Sequence, residues 1–356
     1  MQIIQKTLTN YAAYKKKKEK NAQLLADDIK EKRSIVRALP TDIALITDPL
    51  CNLRCIMCTQ GPLNEKCAQA LPYIEEKHLI RFAEEVFPTA QALYLNNAGE
   101  PLLSRNLDLE VELAERYGVM LKVITNGTVF NPCAARVQRI IKNASSVIFS
   151  FDSPSKKIYE SIRVGANFKE VKRHMRLFNQ YRKKLPAQNR PLFGITMILM
   201  KRNAHEVLPM IRFAKEIGAD FLTLKNLIPI VPTIKPESLS GDTEKNFMLI
   251  SAAKLSKKLN LRLLLPALFD TNAGMCAFPW KYAYIDDTCN IHACCAIKRP
   301  IPGNIRTSDF KSIWNNPIYI RLRQTFTGGR PHPYCAACIK NGIFREQYAD
   351  FAFVTC

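Results

Sequence analysis

Three cysteines, Cys51, Cys55 and Cys58, stand within eight residues in the run CNLRCIMC, directly after a short apolar stretch at 43–48. Three thiolates so placed can hold three irons of a four-iron cubane, whereas a saturated [4Fe–4S] cluster takes four. One iron is then left open to bind another molecule, and an open iron is a catalytic one. A structural zinc site with a distant fourth ligand, or three buried thiols, is the rival reading. Zinc sites favour CX2C pairs over CX3CX2C, which weighs against it.

Such a trio needs a frame. Short β-branched or apolar runs recur from Ile43 onward: IALITD (43–48), ALYLNN (92–97), MLKVIT (120–125), VIFSF (147–151), FGITMIL (193–199) and FLTLKN (221–226). Between them, EEKHLIRFAEEVF (75–87) and EVLPMIRFAKEIGA (206–219) space apolar residues by three and four, and Gly218 stands where a helix C-cap belongs. Strands alternating with helices predict an α/β fold with a parallel sheet, as an open doubly wound sheet or a barrel. The cysteine run then lies at the C-terminal end of the first strand, the active face of such folds.

At 356 residues the chain has room for about two domains of ~150 residues. Residues 1–40, with KKKKEK and a closing Leu39-Pro40, read as an exposed basic helical extension; 41–230 form the α/β domain, and 231–275 a proline-rich link, a helix and the apolar run LRLLLP. Residues 276–356 hold seven of the twelve cysteines, a predicted hairpin (KYAYID, then NIHACC) and helices either side of Pro317. So small a unit buries too little to be comfortable alone, and a metal would supply the missing stability.

The front run resembles the radical S-adenosylmethionine (radical SAM) enzymes, whose first βα loop carries CX3CX2C. The resemblance implies a partial (β/α)6 TIM-like barrel over about 41–230. It also implies that the amino and carboxylate groups of S-adenosylmethionine (SAM) chelate the open iron, and that one electron cleaves the sulfonium to methionine and a 5′-deoxyadenosyl radical. Met57 takes the place of the family's aromatic residue over the adenine. Asn97-Ala98-Gly99-Glu100-Pro101 resembles the GGEP segment, so Gly99 and Glu100 are expected to receive the methionine ammonium, although Asn97 and Ala98 replace glycines. Asn126 in TNG, then Ser150 and Asp152, are expected to meet ribose or carboxylate oxygens, and Arg163 in SIRVGANF resembles an IRxG element that pairs with the methionine carboxylate. TNG is also an ordinary turn, and an arginine there also suits a surface salt bridge.

The rear cysteines resemble the SPASM auxiliary-cluster extension, or its shorter form, twitch. Cys276 and Cys294 fit the ends of its CX(9–15)GX4C, with Cys289 standing where glycine is expected. After Cys335 and Cys338 the next required cysteine is replaced by Phe344. The resemblance therefore implies one auxiliary [4Fe–4S] cluster on Cys276, Cys294, Cys335 and Cys338, with Cys295 an alternative to Cys294. A saturated cluster moves electrons and does not bind substrate. A four-cysteine zinc ribbon is the rival. Cys67 and Cys133 have no motif partners. In a radical epimerase Cys67, Cys289, Cys295 or Cys356 would be candidate hydrogen-atom donors.

Fifty-two Lys+Arg against 31 Asp+Glu leave a net charge of +21, which calls for an anionic substrate, partner or surface. Lysines 15–18 and the cluster Lys172, Arg173, Arg176, Arg182, Lys183 and Lys184 could track a nucleic-acid backbone. No RNA-binding module accompanies them, so a small anionic or sugar-like molecule, or a peptide, is the more economical partner. No apolar run approaches the ~20 residues of a membrane span, and no secretory signal opens the chain, so the cytoplasm is expected. The expectation is an oxidoreductase that abstracts a hydrogen atom from an unactivated C–H and oxidises a sugar or cyclitol alcohol by two electrons, with a flavodoxin or ferredoxin as reductant. The alternatives are an epimerase of such a substrate, a peptide-modifying SPASM maturase, although the first forty residues hold no evident leader-binding winged helix, and a non-enzymatic zinc or iron–sulfur interaction protein.

Overall fold

Along each strand of the α/β part, every second residue is apolar and packed beneath helices. Ile43 and Leu45, Leu93 and Leu95, Leu121 and Val123, Val147 and Phe149, then Phe193, Ile195 and Met197 belong to one continuous core. Period-two alternation with one face buried under helices is what a parallel sheet requires. The computed structural model describes residues 2–58, 71–95, 98–228, 232–239, 242, 244–266, 276–294, 299–328, 332–333 and 335–336.

The chain opens on α1 (Gln2–Lys30), β1 (Asp42–Leu45), α2 (Glu76–Val86), β2 (Ala92–Leu95), α3 (Leu107–Tyr117) and β3 (Met120–Thr125). There follow α4 (Ala135–Asn143), β4 (Ala144–Ser150), α5 (Lys156–Ile162), α6 (Phe168–Lys183), β5 (Leu192–Leu199), α7 (Val207–Ile217) and β6 (Phe221–Asn226). The remainder comprises α8 (Glu244–Lys258), β7 (Arg262–Leu264), α9 (Phe278–Lys281), β8 (Tyr282–Ile285), β9 (Asn290–His292), β10 (Gly303–Asn304), α10 (Phe310–Trp314) and α11 (Pro317–Thr327). Gly218, left-handed at φ +83, closes α7 as the sequence predicts; its N–H meets the Lys215 carbonyl at 3.1 Å.

The ten strands among the described residues form one sheet in the order β10-β9-β8-β1-β2-β3-β4-β5-β6-β7. From β8 through β1 to β7 every neighbouring pair is parallel, and the β8–β9 and β9–β10 pairs are antiparallel. The fold is α/β, a partial barrel of parallel strands carrying a small cysteine-rich C-terminal unit. Two of its strands lie outside the expected six: β7 arises in the stretch read as a link, and β8 extends the barrel sheet beyond β1.

The N-terminal helix is less exposed than its lysines imply. Lys18, only 2% exposed, donates to the Phe87 carbonyl at 3.0 Å and to that of Ala90, just past the end of α2, and burial draws its pKa down to about 8. A cation suits those carbonyls. Lys15, Lys16 and Lys17 remain exposed. Residues 33–38 then tie this helix to the C-terminal unit: Trp280 Nε1 donates to the Arg33 carbonyl (2.7 Å), Trp314 Nε1 to that of Ala38 (2.9 Å), and Arg323 Nη1 to that of Ser34 (3.1 Å).

Below the front loop, buried Glu110 on α3 accepts from the Thr47 hydroxyl at 2.9 Å. Burial pushes its carboxyl up to about 7 against the pull of that bond, and Asp48 adds to the rise. A raised acid binds more protons folded than unfolded, so its stabilising effect is complete below about pH 4.5 and declines as pH rises toward 7. Glu110→Gln keeps an acceptor without the ionisation. Urea unfolding at pH 5 and pH 8 should show the wild type losing about 2.5 kcal/mol more than this variant across that interval. Equal pH dependence in the two proteins would refute the assignment.

Candidate functional site

The front cysteines lie in the loop beyond β1, and three sets of contacts fix that loop. At its base Asp48 pairs with Arg105 (2.6 Å), and the Leu50 carbonyl accepts from the Glu100 N–H at 2.6 Å. On its far side Arg54 N–H donates to the Val164 carbonyl (2.9 Å) and Ile56 N–H to that of Ile162 (3.0 Å), which sets Cys55 opposite Arg163. Within it Cys58 N–H closes a turn on the Cys55 carbonyl at 3.0 Å. None of the three thiols is in a disulfide, and all are partly exposed.

Gly99 is where the β2 loop passes under this run. Its φ is +81, and a Cβ would stand 2.6 Å from the Leu50 carbonyl oxygen, so only glycine fits. Glu100, next along, is 1% exposed and uses both oxygens within the protein: Thr125 Oγ1 donates to one at 2.6 Å and Asn126 N–H to the other at 2.7 Å. Burial lifts its pKa to about 7 against these donors. In this structure Glu100 therefore joins the ends of β2 and β3. Asn126 donates from Nδ2 to Asn52 Oδ1 at 3.0 Å, and that nitrogen lies 3.8 Å from Cys51 Sγ.

Beyond β4, Asp152 is fully buried, with one oxygen accepting from Ile198 N–H at 2.7 Å and the other 2.7 Å from Arg163 Nε. That ion pair is close but not aligned for a directed hydrogen bond. Burial alone would lower the Arg163 pKa, yet Asp152, Cys55 and Tyr159 outweigh it and hold the guanidinium protonated. Arg163 Nη1 lies 3.8 Å from Cys55 Sγ. Burial also pushes the Cys55 thiol up to about 11, with Arg163 pulling the other way. Ser150, half-buried, shares a register row with Thr196 and, through it, Thr223. Met57 packs with Ile56, Ile158 and Ile198 against Ile162, Met200, Leu227 and Ile234. Gly99, Glu100, Asn126, Asp152 and Arg163 thus converge on the cysteine loop, whereas Asn97 lies outside the described residues.

A second polar group, not singled out in the sequence, lines the barrel interior. Opposite the helix-packed residues, one register row runs His292, Tyr284, Ala44, Tyr94, Lys122 and Ser146. Lys122 Nζ donates to the Tyr94 hydroxyl (2.8 Å), which donates to Asp42 (3.1 Å). His292 Nε2 lies 2.8 Å from Asp286, whose carboxyl His292, Thr288 and Asn290 hold at about 2 despite burial. Ser146 Oγ and His292 Nδ1 are buried without hydrogen-bond partners among the described residues. The alternation that flags Leu93, Leu121 and Val147 as core would have placed Tyr94, Lys122 and Ser146 together.

The rear thiols reach the same interior. Cys276 and Cys294 pack, with Tyr94 and Ala98, against Ala44, Ile46, Phe278, Tyr282 and Tyr284. Burial pushes Cys276 up to about 11, and Cys294 adds to the shift. Cys335 is buried, Cys133 is exposed, and Cys67, Cys295, Cys338 and Cys356 lie outside the described residues. Among the described residues no three His, Cys, Asp or Glu side chains converge on a single ion. A cubane takes one thiolate per iron, so its ligands surround it and do not meet at a point. Thiols outside any disulfide, with N–H donors turned toward two of their sulfurs, fit such a cluster at the front.

Cys289 sits in the β8–β9 turn at φ +69, fully buried, its carbonyl accepting from Ile305 N–H at 3.0 Å. The left-handed backbone explains why the motif expects glycine, and it makes Cys289 a turn residue. Cys289→Gly relieves ~1–2 kcal/mol of strain but loses a buried thiol, so its stability should stay within about 1 kcal/mol of wild type. Cys289→Val should cost about 2–3 kcal/mol in thermal unfolding. Equal stability of the two variants would remove backbone strain as the explanation.

Comparison with known proteins follows these lines. Residues 45–214 match the family model described as the radical SAM superfamily, and residues 276–339 match SPASM, an iron–sulfur cluster-binding domain. Streptococcus suis SuiB bound to SAM is 14% identical, covers 90% of this chain and 75% of its own, and superposes with a TM-score of 0.66; SuiB bound to precursor peptide SuiA gives 0.64. The anSMEcpe structure with AdoMet and Cp18Cys peptide is 18% identical, with 88% and 92% coverage and a TM-score of 0.61. A tungsten-containing aldehyde ferredoxin oxidoreductase cofactor-modifying protein of Pyrococcus furiosus is 24% identical over 192 residues, 51% of this chain. The chain spans half the length of that curated relative.

Proposed function

Since the chain belongs to the radical SAM superfamily and carries a C-terminal SPASM domain, we propose that it abstracts a hydrogen atom from a substrate inside the barrel and oxidises it by two electrons. It is an enzyme whose cofactors are SAM and [4Fe–4S] clusters. Bound at the front trio, these supply a 5′-deoxyadenosyl radical by reductive cleavage of the sulfonium. Cys51, Cys55 and Cys58 hold the front cluster, and Cys276, Cys294, Cys335 and Cys338 one auxiliary cluster. Met57, Gly99, Glu100, Asn126, Ser150, Asp152 and Arg163 frame the SAM site, Glu100 by fixing the Thr125–Asn126 turn. Once the hydrogen atom has gone, the substrate radical gives up one proton and one electron, and the rear thiols stand where the electron can leave. The observation that carries this reading is the packing of Cys276 and Cys294 on the interior cluster shared with Ala98, the neighbour of Gly99.

A peptide is the substrate class placed first, supported by the peptide-bound SuiB and anSMEcpe structures, whose fold this chain shares. A small anionic or sugar-like alcohol is the second reading, favoured by Lys122, Lys225 and Arg262 at interior positions of β3, β6 and β7. The same reading places the protein in the cytoplasm with a flavodoxin or ferredoxin as reductant; among the described residues no helix is long and apolar enough to cross a membrane. The test is anaerobic reconstitution with iron and sulfide, addition of SAM and reductant, and assay for 5′-deoxyadenosine. Full iron loading without that product would overturn the proposal.

A further inference from the structure

We propose that Arg163 and Asn126 set the reduction potential of the front cluster by hydrogen-bonding the sulfurs of Cys55 and Cys51, and that Asp152 moderates the charge of Arg163. The inference rests on the reading of Cys51, Cys55 and Cys58 as cluster ligands. It gives both donors a role toward the metal centre that is separate from contact with SAM. Each nitrogen lies 3.8 Å from its sulfur.

Neither donor is placed by its own rotamer alone. Asn126 Oδ1 accepts from the Thr128 N–H (2.9 Å) and the Thr128 hydroxyl (2.6 Å), which fixes the amide so that Nδ2 faces Asn52 and Cys51. The Asn126 N–H is held in turn by Glu100 at 2.7 Å. Arg163 faces Cys55 because the backbone bonds from Arg54 and Ile56 flank the pair. Its side chain is 10% exposed and meets an Asp152 that is 0% exposed and anchored by Ile198 N–H. Two independent networks therefore aim N–H groups at two of the three sulfurs.

The physical effect has a definite sign. A reduced cluster carries one more negative charge than an oxidised one, so a donor at a ligand sulfur stabilises the reduced form more and raises the potential. Burial strengthens the effect, because water does not screen it. The Asp152 carboxylate acts the other way and offsets part of the guanidinium charge. Since the cluster must be reduced before it can cleave SAM, these three residues decide how strong a reductant the enzyme needs.

The experiment is an EPR-monitored redox titration of the reconstituted full-length protein. The front cluster is identified as the signal that changes when SAM is added, and each midpoint is then measured without SAM. Asn126→Ala and Arg163→Lys should shift the midpoint to more negative values; the lysine retains the charge, so its shift reports the lost N–H···S contact. Asp152→Asn should shift it to more positive values. General loosening of the site would move all three in one direction, so that outcome overturns the inference, as do midpoints equal to wild type in Asn126→Ala and Arg163→Lys. If the arginine variant fails to load iron, the opposite shifts expected of Asn126→Ala and Asp152→Asn still decide the matter. Failure of the underlying reading looks different: the wild type itself would show no SAM-responsive cubane.

Discussion

Cys55→Ala should abolish 5′-deoxyadenosine formation, down to the level of a protein-free control, while the variant should fold as the wild type does. Cys55 lies in a loop whose backbone is held by bonds from Arg54 and Ile56 to the carbonyls of Val164 and Ile162, and none of these uses the thiol. The substitution therefore removes a ligand without removing a support. With three thiolates the front site keeps one iron open; with two it cannot hold a stable cubane. Iron content should fall by about four per chain and the SAM-induced change in the EPR spectrum should vanish. Circular dichroism and thermal unfolding close to wild type would separate loss of the cluster from loss of the fold. A Cys55→Ala protein that still makes 5′-deoxyadenosine would falsify the assignment of the front trio.

Cys276→Ala and Cys335→Ala should have the contrasting phenotype, with 5′-deoxyadenosine still formed and the oxidised product lost. The front loop makes hydrogen bonds and ion pairs to residues 100, 105, 126, 128 and 162–164, none of which belongs to the rear set. Cleavage of SAM needs only the front cluster, whereas completing a two-electron oxidation needs a site for the second electron. The uncoupled radical should then return a hydrogen atom to the substrate or be quenched, with deoxyadenosine exceeding product by tenfold or more, a difference of about 1.4 kcal/mol in partitioning. Metal analysis separates the rival zinc ribbon: the wild type should carry about four irons and no zinc at the rear site. Zinc there, or loss of deoxyadenosine in both rear variants, would end the division of labour.

Much of this site was readable before any coordinates. The CX3CX2C run after a predicted strand pointed to the radical SAM family, which the match over residues 45–214 bears out, and the strand runs of the barrel recur in the structure with shifted ends. Cys289 is instructive: a cysteine in a glycine position looked like a spare thiol, and its φ of +69 makes it a constrained turn residue. Glu100 was expected to meet the methionine ammonium, and the structure adds that both its oxygens already take donors from Thr125 and Asn126. Lys18 lies in the run expected to form an exposed basic helix, yet it is buried against two carbonyls. These details depend on which chain segments pass close by, and residue spacing does not record that.

The sequence by itself determined the number and order of the cysteines, the alternation that makes a parallel sheet, and the face on which the first cysteines emerge. Those properties are local, set by residue type and by periods of two or three to four. Only the tertiary structure decided that β8 joins the sheet beside β1, that residues 33–38 tie the first helix to the C-terminal unit, that Asp42, Tyr94 and Lys122 meet in the interior, and that Arg163 faces Cys55. Each of these joins residues from 28 to 289 positions apart. Such pairings follow from burial and from satisfying polar groups across the whole fold, which no local pattern encodes.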